Sequence, residues 1–123
     1  KNFMTFKTYN KGEFPREMMQ IMSKNIKPKD KIFITEPSNC EYFYYSSFYN
    51  LKNKLIYAQY KNDSNKNLSA VKKLSSGKYW IYLPYDYSLN KETNRDIVLY
   101  LKNNNKILKY YQKGQSVLAY IKK

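Results

Sequence analysis

The stretch IKPKDKIFITEPSNCEYFYY, Ile26 to Tyr45, reads as the end of a helix, a tight turn, a buried strand and the capped start of a second helix. Just before it, Phe14, Met18, Ile21, Met22 and Ile26 fall at helical spacing, and Pro15 suits a first-turn position. Pro28-Lys29-Asp30 ends that helix and turns the chain into Lys31 to Thr35, the first strand. Glu36-Pro37 stops the strand, and Ser38-Asn39-Cys40-Glu41 has the S-x-x-E form of a capping box. A buried strand framed by two helices is the repeating unit of an α/β protein.

The rest of the chain continues the alternation. The aromatic helix opening at Tyr42 breaks at Asn50 to Asn53, and Leu55 to Tyr60 is the second strand. Asn62 to Asn67 reads as a polar loop, Leu68, Val71 and Leu74 as a short helix, and Ser75-Ser76-Gly77 as its end. Tyr79 to Leu83 is continuously aromatic and branched, which predicts a central strand covered on both faces. After the loop Pro84 to Ser88 comes a helix carrying Ile97, Val98 and Leu101. Ile107 to Gln112 and Val117 to Ile121 then pair as a hairpin across Lys113-Gly114. The expected fold is a single α/β domain over residues 1–123, with residues 1–12 as an extended lead-in. It is a three-layer, Rossmann-like sandwich whose sheet of about five strands is mostly parallel, with a C-terminal antiparallel hairpin at or near an edge.

Composition narrows the chemistry. The chain has no His, which excludes a histidine base, a Ser-His-Asp triad and a His-based metal site. Its single Cys40 makes neither an intrachain disulfide nor a thiolate cluster, so no metal is expected. The formal charge of +14 suits a phosphate-rich partner. Nearly all of that charge is Lys, however, with Arg16 and Arg95 the two arginines, and no basic block in the sequence exceeds a pair. A solvated surface is therefore favoured over nucleic-acid binding. No apolar run approaches the roughly 20 residues of a membrane span. A chain that starts at Lys1 with no signal-peptide pattern is expected to be a piece of a longer protein.

In an open parallel sheet a ligand sits beyond the carboxyl ends of the strands. That edge is predicted to carry Glu36, Ser38 and Asn39 after the first strand, and Tyr85, Asp86 and Tyr87 after the third. Glu36 and Asp86 would then face one another as an acid/base pair, whereas the simpler reading makes Ser38 and Asn39 helix caps and Asp86 a turn residue. The loop Thr35 to Asn39 has no glycine, so it lacks the close backbone approach that a dinucleotide pyrophosphate needs, and no cofactor is expected. The cluster Tyr42, Phe43, Tyr44, Tyr45, Phe48 and Tyr49 is expected to pack on the core, with a sugar-stacking or membrane-interface surface as its functional alternative.

Several of these stretches together resemble a known family. I-K-P-K-D at Ile26–Asp30, K-I-F-I-T at Lys31–Thr35 and E-Y-F-Y-Y at Glu41–Tyr45 are followed by Tyr79-Trp80-Ile81-Tyr82 and a closing strand from Gly114 to Tyr120. This pattern resembles the C-terminal soluble domain of GT-C-type membrane glycosyltransferases, which use polyprenyl-phosphate sugars and include protein O-mannosyltransferases and aminoarabinose transferases. The resemblance implies an extracytoplasmic domain tethered to the cytoplasmic membrane by the transmembrane part of the same polypeptide. It implies no catalytic residue here, because the family's catalytic carboxylates lie in a membrane-proximal loop elsewhere. A membrane surface or a lipid-linked sugar is the implied partner. The alternative is a free-standing Rossmann-like module for a small ligand or nucleic acid.

Overall fold

A computed structural model of the chain describes residues 15–35, 46–58, 64–84, 92–114 and 116–123. The first helix, α1 (Pro15–Asn25), places Met18, Met19 and Met22 in the core, with Glu17 in its first turn and Lys24 in its last, each sign matching the helix dipole. Its end is closed by the Asn25 side-chain amide, which donates to the Ile21 carbonyl at 2.7 Å. Lys27 to Asp30 then forms a β-turn with Pro28 in its second position, where a fixed φ and a missing N–H cost nothing. The Asp30 N–H donates to the Lys27 carbonyl at 3.0 Å.

The strands are β1 (Lys31–Thr35), β2 (Leu55–Ala58), β3 (Lys78–Leu83), β4 (Lys106–Lys113) and β5 (Ser116–Lys122). Helices α2 (Ser64–Lys72) and α3 (Glu92–Asn104) precede β3 and β4. Residues 46–48 are helical and end in a left-handed Asn50 (φ 59°), with the Leu51 N–H on the Ser46 carbonyl and the Asn50 N–H on that of Ser47. That pair of bonds is a Schellman closure, which explains the break expected at Asn50 to Asn53.

The five strands form one sheet in the order β2-β1-β3-β5-β4. β1 pairs in parallel with β2 and β3, while β5 pairs antiparallel with both β3 and β4. The sheet is therefore mixed rather than mostly parallel, and this corrects the sequence expectation. The hairpin does form, with Gly114 at φ 58° in its two-residue turn, a conformation that costs glycine least. It lies at one side of the sheet, as expected, with β4 at the edge and the final strand next to it. The reason is composition: β5 is buried along nearly its whole length, whereas β4 is largely exposed. The polar loop expected at Asn62 to Asn67 is also corrected, since α2 begins at Ser64 and buries Asn67 within its first turns.

Strand alternation sorts the core onto two faces. Tyr79, Ile81 and Leu83 of β3 join Phe33 and Val117, Ala119 and Ile121 of β5 beneath α2 and α3, whose contributions include Val71, Ile97 and Leu101. Trp80 and Tyr82 join Ile32, Ile34, Leu118 and Tyr120 beneath the three methionines of α1. β3 is thus the central strand, covered on both faces as its composition requires.

Candidate functional site

Glu36, Ser38, Asn39, Tyr85, Asp86 and Tyr87, the residues expected beyond the carboxyl ends of the strands, lie outside the described residues, as does any pairing of Glu36 with Asp86. What is described at that edge is a closed joint. The Asn94 side-chain amide, buried in the first turn of α3, donates to the carbonyls of Leu83 and Pro84 at 3.2 and 3.1 Å. This ties the helix to the end of β3. Of the aromatic cluster, Tyr49 packs against the core under α1, while Phe48 is exposed and meets Tyr49 edge-on at 4.9 Å.

The most developed polar constellation lies at the opposite, amino-terminal edge of β1. Asp30 is 4% exposed and its carboxylate takes three hydrogen bonds from neutral donors. Oδ2 accepts from the Lys27 N–H at 2.9 Å and from the Trp80 indole Nε1 at 3.2 Å. Oδ1 accepts from the Tyr120 hydroxyl at 2.8 Å. The Trp80 and Tyr120 rings stack at 4.5 Å, 13° from parallel, so both donors reach the same carboxylate. Asn53 completes the joint from the loop before β2, donating to the carbonyls of Lys27 and Asp30 at 2.9 and 2.8 Å. One carboxylate thereby joins the turn, β3 and β5.

Sequence reading placed Asp30 in the turn but missed its place in the core. Its partners stand 50 and 90 residues away, beyond the reach of any local pattern. The available signal was the matching face: Trp80 and Tyr120 carry the same strand parity as the buried Leu118 and Tyr82, and both bring a donor that burial obliges to find an acceptor.

Chemically, this arrangement is a fixed acceptor. A general base must reach a substrate proton, and the Asp30 oxygens face protein donors instead. Burial, then the hydrogen bond to Asp30, then that carboxylate's charge push the Tyr120 phenol up to about 12 from its ordinary 10.0. A pKa raised in the folded state means that the stabilisation is fully present below about pH 10 and is lost as pH rises through about 12. Phenolate absorbance should accordingly show a late ionisation, absent in Tyr120→Phe and accompanied by unfolding. Complete ionisation of every tyrosine near pH 10, with the fold intact, would contradict the assignment.

Other described features offer less chemistry. A shallow, open depression of about 430 Å³ runs along α2 beside Lys66, Ser69, Ala70 and Lys73, with no acid among these residues. Among the described residues no group of three or more His, Cys, Asp or Glu side chains could hold a metal ion, and no helix is long and apolar enough to cross a membrane. No family model matches the chain, and no curated protein matches it.

Proposed function

We propose that the chain is the soluble C-terminal domain of a membrane-embedded glycosyltransferase that uses a polyprenyl-phosphate sugar. It is non-catalytic by itself and has a structural or an acceptor- or donor-binding role on the extracytoplasmic side. One observation carries the reading. Three of the five stretches that bear the resemblance, I-K-P-K-D, the Trp80 strand and the closing Tyr120 strand, supply the three side chains of a single buried joint. A pattern whose members hold one another in the core behaves as a fold signature, which suits a domain whose family keeps its chemistry elsewhere. The mixed α/β sheet is compatible with the Rossmann-like form expected from the alternation of helices and strands. β1 and β3 flank the switch point of that sheet, so a ligand role would fall on Glu36, Ser38, Asn39, Tyr85, Asp86 and Tyr87.

The test uses the full-length gene product. It should remain in the membrane pellet through alkaline carbonate extraction, with an epitope in this domain open to protease from the extracytoplasmic side. Recovery in the soluble fraction would overturn the proposal.

A further inference from the structure

Eight lysines that are scattered along the sequence are gathered by the fold. In sheet order, Lys54, Lys31, Lys78, Lys122 and Lys106 stand at one end of β2, β1, β3, β5 and β4, the amino-terminal edge of the parallel strands. Each helix also brings its C-terminal end to this edge, with Lys24, Lys72 and Lys102 in the last turns. The described acids other than Asp30 lie elsewhere: Glu17 in the first turn of α1, bridged to Lys113 at 3.5 Å, and Glu92 and Asp96 at and near the start of α3. Asp30, the closest to the edge among the described acids, is buried and committed to its three donors.

Ordinary structural needs account for part of this. Last-turn lysines complement helix dipoles, and lysine on β4 protects an exposed sheet edge from pairing. Neither need explains Lys78 and Lys122. They sit on interior strands, directly opposite one another, with Lys106 directly opposite Lys122 on the far side. All three are exposed. Like charges in directly opposed positions cost stability, so a partner that brings negative charge to this edge would relieve a repulsion the fold otherwise carries.

We infer that the amino-terminal sheet edge is a docking surface for an anionic phospholipid bilayer. Five strands at a spacing of about 4.8 Å make the row roughly 20 Å long, a broad, near-linear front that suits a planar surface. The charges are lysine ammonium groups, which act as point charges toward a headgroup layer. Both arginines, Arg16 and Arg95, stand in the first turns of α1 and α3 at the opposite edge, so the bidentate contacts typical of nucleic-acid recognition are missing from this one. Among the described rings near the edge, Tyr79, Trp80 and Tyr120 are buried, and Tyr100 is half-buried beneath the Lys72 ammonium at 5.5 Å, so none is an open platform for base stacking. The choice of a bilayer rests on the function proposed above; the charge asymmetry stands without it. Docking in this orientation turns the carboxyl edge away from the membrane by the length of the strands, about 20 Å. Any ligand at that edge would then be a soluble acceptor rather than the headgroup of a lipid-linked donor.

Co-sedimentation of the 123-residue chain with vesicles of phosphatidylcholine alone, or with about a third phosphatidylglycerol, tests the inference. Binding should require the anionic lipid and fall steeply between about 0.1 and about 0.5 M salt. Lys78→Glu, Lys106→Glu and Lys122→Glu together should weaken it on the order of a hundredfold. The charge-matched set Lys66→Glu, Arg95→Glu and Lys113→Glu should leave most of it. A Lys→Gln version of the edge set, with unchanged Trp80 fluorescence, separates lost binding from lost folding. Equal losses from the two sets, no binding to anionic vesicles, or edge-dependent binding to duplex DNA that exceeds vesicle binding would each overturn the inference. A soluble full-length product that still binds vesicles through this edge would refute the glycosyltransferase reading alone. A membrane-spanning product with no vesicle binding would refute the docking surface alone.

Discussion

Asp30→Ala is expected to lower stability by about 3–5 kcal/mol, because it strands two buried donors and the partly buried Lys27 N–H at once. The Lys27 N–H, the Trp80 indole N–H and the Tyr120 hydroxyl all end on this carboxylate, and alanine offers none of them an acceptor. That loss is a large share of the roughly 5–15 kcal/mol that holds a domain of this size. Asp30→Asn should behave differently. Its amide oxygen can serve Lys27 and Trp80 while its amide nitrogen donates to the Tyr120 oxygen, and no buried charge remains to be desolvated. Its cost should stay near 1 kcal/mol. Urea unfolding followed by emission of Trp80, the one tryptophan, separates the two variants. Equal losses would show that the charge, rather than the acceptor geometry, is what the core requires.

Trp80→Ala should cost a comparable 3–5 kcal/mol by a different route. Trp80 is fully buried at the centre of the sheet, it is stacked on Tyr120, and its removal leaves a cavity beneath α1 that rigid neighbours fill poorly. Trp80→Phe keeps most of the ring but deletes the donor, so about 1–2 kcal/mol should be lost. Far-UV circular dichroism during urea unfolding supplies the readout, since the fluorophore is gone. A loss below about 1 kcal/mol for Trp80→Ala would mean that the stack and the joint contribute little to the fold.

Local signals carried most of the element reading. Lys31–Thr35, the strand through Trp80, the Asn50 break and the Gly114 hairpin each have a short-range physical cause, and each is found where that cause places it. What failed depends on contacts distant in sequence. The hairpin adds two antiparallel pairings to the two parallel ones, so the sheet is mixed, and the burial of β5 decides that β4 is left at the edge. The start of α2 was hidden because Asn65 and Lys66 look like loop residues until tertiary packing recruits Asn67. Asp30 looked like an ordinary turn residue for the same reason. The lysines at the strand and helix ends of the amino-terminal edge show the converse effect: scattered along the chain, these eight converge because each stands at or beside the point where its element begins or ends at that edge.

The central claim is that Asp30 acts as a structural acceptor for the strands carrying Trp80 and Tyr120, and a double-mutant cycle tests it most directly. In the native background, Tyr120→Phe removes a hydrogen bond to a charged group and should cost about 1.5–3 kcal/mol in urea unfolding. In the Asp30→Ala background the same change removes a hydroxyl already without its acceptor, so it should be neutral or slightly stabilising. An equal loss in both backgrounds would contradict the account, because Tyr120 would then owe its contribution to something other than Asp30.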